Sequence, residues 1–387
     1  RRDLWVTCHA QKLLMRMLNT EYERAADEAV PGSAAGFTRG RNGPEGTLVL
    51  RLAQEQSMLE GTPLFVGFLD FGTFFMSCVK EIQWEVERWT GVDPAVSDVV
   101  RELHREVSGK YETAYGLTEG FGIDKGTGQG CVNGAVRAKL QIGVLQRMIS
   151  KHVPGYRFTG AHASVPQGVY ADDAAYVCHD MAALQLAFDT SWMMAKVCGL
   201  PIKIKGKSKT AYFATYWEGG IEKDVAGYEL RLADGRLVPQ ILKRPKHPLP
   251  PGAKGDVHSY KHLGTELAPG WNGGMEEARS KVVTRCTQVV KLIGRIPVLT
   301  SEQMDQMVSL AIGGVIGYYG RATPLRWSDC QKIERARAYA MHVRGFTPTV
   351  PRVQMYAAPA EGGLGHAHAY QAAAAALIDQ VDRALCG

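Results

Sequence analysis

The spacing of apolar residues predicts helices towards both ends of the chain and short buried strands between them. Leu13 and Met17 share one face of a helix predicted over residues 10–30. Residues 64–69 form a continuous apolar run, which is typical of a strand buried on both faces. This predicted strand ends at Asp70.

The same patterns predict further helices and one tight hairpin. Helices are predicted over residues 78–89, 95–113 and 181–198, over a segment with Val136, Leu140, Val144 and Met148 at a spacing of four, and over most of the chain from Met275. A turn is predicted at Asp234–Gly235, because this pair separates two apolar runs. The mixture indicates an α+β protein.

Two adjacent carboxylates, Asp172 and Asp173, stand between two short apolar runs. This arrangement predicts a strand, a tight turn and a second strand, with both acids at the turn. An isolated pair of this kind is more often a solvated turn. Asp70 adds a third carboxylate at the end of a buried strand, and three such groups could hold two divalent cations.

Composition restricts the class of protein. The chain has 387 residues, of which 45% are hydrophobic and 22% charged, which is typical of a soluble globular protein with one large core or two to three subdomains. No apolar run reaches the ~18 residues that cross a bilayer, so no membrane contact is expected. The first residues resemble the middle of a domain without a signal peptide or initiator Met, which suggests a fragment.

Cysteine spacing and charge refine this picture. The eight cysteines include no C-x-x-C pair, which argues against a zinc module or a disulfide framework and favours a reducing intracellular compartment, nucleus or cytoplasm. Residues 201–300 contain 17 Lys and Arg against 9 Asp and Glu, while the rest of the chain is slightly acidic. The basic segment indicates either a track for a polyanion or a solvated basic face.

Several short motifs are spread along nearly the whole chain. They are Phe68–Met76 (motif A), Gly126–Gly130 followed by Gly134-Ala135 (motif B), Tyr170–Asp173 (motif C), Gly199-Leu200, Ile202 and Lys209-Thr210 (motif D), Tyr260–Gly264, Gly36-Phe37 with Gly40-Arg41, Arg2 with Lys12–Leu14, and Pro359 with Gly362–Gly365. Their order resembles the reverse transcriptase domain of non-LTR (LINE-type) retrotransposons.

The resemblance implies a right-hand polymerase of the α+β class. Residues 1–62 would be truncated fingers, and residues 63–268 a palm with an interleaved fingers segment. The palm would be an antiparallel sheet that carries the catalytic aspartates, with helices on one face. Residues 269–387 would be a helical thumb and a C-terminal extension. The implied activity is RNA-directed DNA polymerisation, a nucleotidyltransferase reaction that adds dNTPs to a primer 3′-hydroxyl.

The resemblance also implies the roles of the residues around the reacting groups. Two Mg²⁺ or Mn²⁺ ions would be held by Asp70, Asp172 and Asp173 with the backbone of Phe71. Lys209 would protonate the departing pyrophosphate, with Lys203 and Lys207 as alternatives. The residues that would bind the nucleotide are Arg2, Arg41, Phe75, Gln129 and Gly130, with Phe75 excluding a 2′-hydroxyl.

Contacts with the primer and template would come from two later segments. Tyr260, Leu263 and Gly264 would support the primer end as a hairpin, and Arg279 and Arg285 would contact the duplex backbone. The partners implied are an RNA template, a DNA primer or target, and dNTPs. The chain shows no endonuclease, zinc-knuckle or RNase H signature, so other domains of the parent element are expected to be missing from it.

Four departures from the family pattern keep other functions open. Phe74 stands where the family has Ala, Met76 where it has an acid, Gly134-Ala135 where it has Ser-Pro, and Asp3 where it has Pro. An inactive or domesticated copy that serves as an RNA-binding scaffold is therefore an alternative. An RNA-dependent RNA polymerase is a third hypothesis, which Phe75 and the form of motif B disfavour.

Overall fold

Two units divide the chain in the computed structural model, and they comprise Arg1–His258 and Ser259–Gly387. The structure describes residues 8–31, 36, 38, 41–105, 107–126, 130–160, 164–170, 173–204, 209–225, 228–242, 259–263, 265–269, 275–343, 356 and 368–386. The first unit contains both the predicted fingers segment and most of the predicted palm. Its end at His258 precedes the predicted start of the thumb at residue 269.

The first unit combines helices with an antiparallel sheet, as expected of an α+β protein. Its helices are α1 (His9–Ala29), α2 (Gly43–Glu60), the short α3 (Phe74–Ser77), α4 (Lys80–Trp89), α5 (Pro94–Leu103), α6 (Gly134–His152) and α7 (Met181–Cys198). Its strands are β1 (Leu64–Asp70), β2 (Ser108–Gly109), β3 (Glu112–Thr113), β4 (Gly116–Leu117), β5 (Phe121–Gly122), β6 (Tyr156–Arg157), β7 (Ser164–Val165), β8 (Gln167–Tyr170), β9 (Asp173–Cys178), β10 (Ala211–Glu218) and β11 (Ile221–Asp224).

A five-stranded antiparallel sheet forms the centre of this unit, in the order β11-β10-β1-β9-β8. Strand β1 lies in the middle, and six of its seven residues are fully buried, as the continuous apolar run predicts. Since side chains alternate between the faces of a strand, Leu64, Val66 and Phe68 share one face, and Asp70 ends their row.

Helices cover both faces of the sheet, which differs from the predicted arrangement with helices on one face. On one side, α7 approaches β1 closely at Gly67, where an added Cβ would stand 2.4 Å from the Phe188 ring. On the other side, α2 contacts β1, β8 and β9. The Trp217 indole of β10 donates a hydrogen bond to Ser57 of α2 at 3.3 Å. Asp70 therefore lies on the face that α2 covers.

The helix predicted over residues 95–113 is wrong in its second half. Helix α5 ends at Leu103, and the chain then forms two short antiparallel pairs, β2 with β5 and β3 with β4. Val96, Val100 and Leu103 pack into a core with Met15, Tyr22 and Trp84, whereas Tyr111 and Tyr115 are exposed. Without an apolar face to bury, the later residues gain little from a helix.

The second unit is mainly helical, as predicted from Met275 onward. It begins with a hairpin of β12 (Tyr260–His262) and β13 (Thr265–Leu267). The helices α8 (Met275–Gly294), α9 (Ser301–Tyr319), α10 (Trp327–Val343) and α11 (Ala369–Cys386) follow. They enclose a separate core to which Cys286, Val290 and Ile333 belong. No helix in the described part of the chain is long and apolar enough to span a membrane.

Candidate active site

Asp70 and Asp173 stand directly opposite each other on neighbouring strands. The antiparallel register of β1 and β9 pairs their Cα atoms, and β8 pairs Tyr170 with the same Asp173. Directly opposed residues of an antiparallel pair project from the same face of the sheet, with Cβ atoms about 4.5–5.5 Å apart. The sheet therefore brings together two of the three predicted metal-binding carboxylates.

Lys209 forms an ion pair with Asp70. Its ammonium nitrogen lies 2.9 Å from Oδ1 and 3.0 Å from Oδ2 of that carboxylate. The side chain of Asp70 is 15% exposed and that of Lys209 is 30% exposed, so solvent reaches the pair. The candidate general acid of the sequence analysis is thus in contact with the first predicted metal ligand.

Backbone hydrogen bonds attach the segment around Lys209 to the end of β1. The Thr210 hydroxyl accepts a hydrogen bond from the Asp70 N–H at 3.1 Å. The Lys203 N–H donates to the Asp70 carbonyl, and the Thr210 N–H donates to the Lys203 carbonyl. Sequence reasoning missed Thr210 as a positioning residue, although the K-T pair of motif D identified its place.

The backbone of Phe71 lies where the end of β1 meets the segment of Ile202. Phe71 forms an isolated antiparallel bridge with Ile202. The two hydrogen bonds of this bridge use the Asp70 carbonyl and the Gly72 N–H, which donates to Pro201 at 2.6 Å. The carbonyl of Phe71 takes no part in them.

Gly126 brings motif B against motif A. Its φ of 93° lies in the left-handed region that favours glycine. A Cβ at this position would stand 2.6 Å from the Phe75 carbonyl oxygen and 2.9 Å from the Met76 Cα. The Gly126 N–H also donates to the Cys78 carbonyl at 2.7 Å. A side chain at position 126 would therefore displace the segment that carries Phe75.

The two adjacent aromatic residues of motif A have different environments. Phe74 is 3% exposed and belongs to the core between the sheet and its helices. Its ring lies 6.1 Å from that of Phe71 and meets the ring of Phe75 edge-on at 5.8 Å. Phe75 is half-buried and packs against the same core. The bulky Phe74 is thus accommodated without separating Asp70 from Asp173.

Arg41 lies just before the N-terminus of α2. Asn42 caps this helix in a capping box with Glu45, and Arg41 forms an ion pair with Glu45 at 3.4 Å. The helix dipole favours anions at such a terminus, but the capping box already uses the N–H groups of Asn42 and Glu45. The guanidinium of Arg41 also has one acidic partner.

Of the other predicted nucleotide-binding and catalytic residues, only Gly130 is described. It has a φ of 102° and lies shortly before α6. Arg2, Asp172, Gln129 and Gly264 lie outside the described residues, as does Lys207.

The predicted primer hairpin is present in the second unit. Tyr260 is 4% exposed and pairs with Leu267 across it. Leu263 has a φ of 47°, as the first residue of a tight two-residue turn requires, and its carbonyl accepts a hydrogen bond from the Tyr318 hydroxyl at 3.2 Å.

The two arginines predicted to contact the duplex differ. Arg285 is exposed, and its guanidinium lies 5.9 Å from the centre of the Tyr319 ring. Only 9% of the Arg279 side chain is exposed, and its guanidinium lies 2.8 Å from Glu276 and 3.9 Å from Asp329. Arg279 therefore stabilises contacts inside the second unit and is poorly placed to contact phosphate.

A cavity of about 450 Å³ lies beside the attached segment that contains Lys203. It is lined by Ile202, Lys203, Ile204, Arg236 and Leu237. Arg236 is held by Asp234 at 2.8 Å and by the carbonyl of Ile202 at 3.2 Å. Its charge lowers the pKa of Asp234 to about 2, mainly through this side-chain hydrogen bond. The sequence analysis did not identify Arg236, whose only signal was its position after the Asp234–Gly235 turn.

The residues at the ends of β1 and β9 suit a hard divalent cation. Carboxylate and carbonyl oxygens are the ligands that Mg²⁺ and Mn²⁺ prefer. Asp70 and Asp173 on one face, with the Phe71 carbonyl outside the strand bridge, supply such oxygens. Among the residues that the structure describes, no group of three His, Cys, Asp or Glu side chains could hold a metal ion. Asp172 does not belong to that part of the chain.

Comparisons with known proteins give similarity only to solved structures. No protein-family model and no curated protein matches the chain. The structure of telomerase from Candida albicans in complex with a TWJ fragment of telomeric RNA is 8% identical, with a TM-score of 0.36, over 87% of this chain and 52% of that one. The apo telomerase of Candida tropicalis is 8% identical, with a TM-score of 0.43, over 87% of this chain and 56% of that one.

The chain spans about half the length of these two telomerases. Their similarity does not show a non-LTR retrotransposon origin. The function of the chain must therefore be inferred from its own residues.

Proposed function

We propose that the chain is an RNA-directed DNA polymerase, a reverse transcriptase that extends a primer 3′-hydroxyl with dNTPs. One observation carries the proposal. The register of β1 and β9 places Asp70 opposite Asp173, which adjoins Asp172 in the chain. Lys209 forms an ion pair with the Asp70 carboxylate. This combination joins motifs A, C and D of the resemblance at one end of a buried sheet.

Asp70, Asp172, Asp173 and the Phe71 carbonyl would hold two Mg²⁺ or Mn²⁺ ions. When bound, the ions would activate the attacking hydroxyl and neutralise charge on the departing phosphate. The buried strand β1 fixes the position of Asp70, and the opposed register fixes that of Asp173. Rigid placement of both carboxylates would orient the reacting groups and lower the entropic part of the barrier.

The other residues of the first unit would bind the nucleotide. Lys209 would donate a proton to the pyrophosphate, and Arg41 together with the N-terminus of α2 would attract the triphosphate. Phe75 would place its ring under the sugar and exclude a 2′-hydroxyl. Its position depends on Gly126, which lies against its backbone. Arg2, Gln129 and Gly130 complete the proposed nucleotide site on the strength of the resemblance.

In the second unit, Tyr260, Leu263 and Gly264 would support the primer end, and Arg285 would contact the duplex backbone. We retain Arg285 and not Arg279, because Arg279 is buried and has acidic partners. The partners proposed are an RNA template, a DNA primer or target, and further domains of a non-LTR element, such as an endonuclease, in an intracellular setting.

Primer extension on a homopolymer RNA template tests the proposal. The purified chain should add dNTPs to a DNA primer in the presence of Mg²⁺, and Asp172→Asn should abolish addition without weakening template binding. Asp98→Asn is a matched control, since this acid is exposed on α5 and pairs with the neighbouring Arg101. Full activity of Asp172→Asn would show that the assigned site is wrong.

The RNA-binding scaffold is the second candidate, and the departures at Phe74 and Met76 favour it. Phe74, however, is packed in the core and leaves the pairing of Asp70 with Asp173 intact. A divalent-metal titration separates the two functions. A scaffold would bind RNA equally well in EDTA and incorporate no nucleotide with any metal, whereas a polymerase would require the metal for incorporation.

A further inference from the structure

The Asp70–Lys209 pair uses both carboxylate oxygens of a proposed metal ligand. The ammonium lies at almost equal distances from Oδ1 and Oδ2, 2.9 and 3.0 Å. Two cations that share one carboxylate repel each other, and the repulsion grows where solvent is partly excluded. The position of Lys209 in the metal-free protein is therefore unfavourable for a divalent cation on the same oxygens.

The backbone around Lys209 is fixed, but its side chain can move. Thr210 and Lys203 each form one hydrogen bond with the backbone of Asp70, and a third hydrogen bond joins Thr210 to Lys203. The ammonium itself is carried on a flexible four-carbon stem, and the Lys209 side chain is 30% exposed. Lys209 can thus leave the carboxylate without any change in the sheet.

The carboxylates also need a positive charge when no metal is bound. Like charges that stand directly opposite each other on an antiparallel pair destabilise a sheet. Asp70 and Asp173 have this arrangement at the end of two central strands. An ammonium on Asp70 offsets the repulsion.

We propose that Lys209 is an exchangeable counter-ion, which holds the Asp70 carboxylate in the metal-free protein and yields it to a divalent cation. This inference rests on the proposed function, because it takes Asp70 as a metal ligand. Before the metal binds, Lys209 acts as a positioning residue that holds the Asp70 carboxylate. The released ammonium is then available for the proton transfer proposed above.

Amine labelling measures the exchange directly. The full chain is acetylated with a small amine reagent at increasing Mn²⁺, and the rate at each lysine is read by mass spectrometry. Binding of Mn²⁺ alone is measured in parallel by electron paramagnetic resonance. The rate at Lys209 should rise about fivefold or more as Mn²⁺ binds, since an ion pair that protects the amine is lost. Lys196, exposed on α7, is the reference and should not change.

Two variants complete the test. Lys209→Met keeps an unbranched, flexible side chain one atom shorter than lysine and removes its charge, so Mn²⁺ should bind about tenfold more tightly than to the unmodified chain. Asp70→Asn removes the negative partner, so Lys209 should label rapidly even without metal. Rapid labelling of Asp70→Asn would show that the Asp70 carboxylate is the group that protects the Lys209 amine.

The outcomes separate the inference from the proposed function. If Mn²⁺ binds while the labelling of Lys209 stays unchanged, the exchange is overturned and the polymerase assignment remains. If neither the unmodified chain nor Lys209→Met binds Mn²⁺, the metal site itself is wrong and the inference fails with it. Binding by Lys209→Met alone would also overturn the exchange, because Lys209 would then exclude the metal and not yield to it, while the metal site itself would remain.

Discussion

Two acid–base pairs in the first unit have opposite designs. Glu87 and Arg137 join α4 to α6 at 2.6 Å, and each side chain is 1% exposed. The Glu87 carboxylate also accepts hydrogen bonds from Tyr22 at 2.9 Å and Ser97 at 2.8 Å. Asp70 and Lys209, by contrast, are partly exposed, and the lysine belongs to a segment outside the regular elements.

The difference separates a pair that holds helices together from one that can exchange its cation. Every oxygen of Glu87 has a donor, and the Arg137 guanidinium lies 4.4 Å from the centre of the Trp84 ring. If either group left, the other charge would stay buried without its partner, which is costly. Lys209 can leave Asp70 for water, so only the second pair is suited to chemistry that requires a free carboxylate.

The largest expected effect is a loss of activity when the Asp70–Lys209 pair is changed. Asp70→Asn should reduce nucleotide incorporation by at least about 10³-fold, because the uncharged amide would hold a divalent cation poorly. The midpoint of thermal unfolding should change by only a few degrees. Primer extension and a melting curve on the same preparation measure both. Retention of a tenth or more of the activity would remove Asp70 from the site.

A change in the buried Glu87–Arg137 pair should have the opposite effect, a large loss of stability. Glu87→Gln should lower the free energy of unfolding by about 3–5 kcal/mol, because it leaves the Arg137 charge buried without its partner. Urea unfolding measures this. Glu85→Gln on the exposed side of the same helix is the control and should cost less than about 1 kcal/mol. Equal effects of the two variants would contradict the distinction.

Acid should lower the stability of the first unit through His104, which lies near the buried Arg137. Burial, and then the nearby Arg137 charge, lower the pKa of His104 to about 4. Since the unfolded chain binds a proton near pH 6.5 and the folded chain only near pH 4, stability is complete above pH 6.5 and falls as the pH drops towards 4. The expected loss is about 1–3 kcal/mol.

Urea unfolding at pH 7 and pH 5 measures this loss. In His104→Asn the dependence on pH between these values should become smaller than in the unmodified chain, because the titrating group is gone. The amide N–H of Asn can still donate to the Val100 carbonyl, as the ring Nδ1 does at 2.8 Å. An unchanged slope would show that His104 does not carry the effect.

The smallest expected effect concerns the sugar of the nucleotide at the proposed active site. Phe75→Val should reduce the preference for dNTPs over rNTPs by about tenfold, because a smaller side chain leaves space for the 2′-hydroxyl. Phe75→Tyr keeps the ring and should keep the preference. Competing incorporation of the two nucleotide types measures the ratio. An unchanged ratio in Phe75→Val would assign this ring to the core.

Much of the fold follows from local patterns in the sequence. The predicted strand over 64–69 agrees with β1, and the predicted helix over 181–198 agrees with α7, because each has a continuous apolar or periodic signal with clear ends. The predicted hairpin around Asp173 is present. The domain boundaries stay predictions.

Other elements could not be predicted in the same way. Helix α2 was not among the predicted helices, although Asn42 and Glu45 form a capping box at its start. Arg279 is buried beside Asp329, at 3.9 Å, and Asp329 is distant in sequence. The contact between Lys209 and Asp70 has the same origin, since only the folded sheet shows which of several lysines reaches the carboxylate.

Position 126 has a consequence for engineering the sugar preference. No side chain fits between the backbone of Gly126 and the carbonyl of Phe75, so a substitution at position 126 would change the backbone that carries Phe75. A mutant library that changes Phe75 alone samples only those side chains that fit the present backbone conformation. Randomising residues 75 and 126 together would allow other backbone conformations, at the risk of losing the proposed preference for dNTPs.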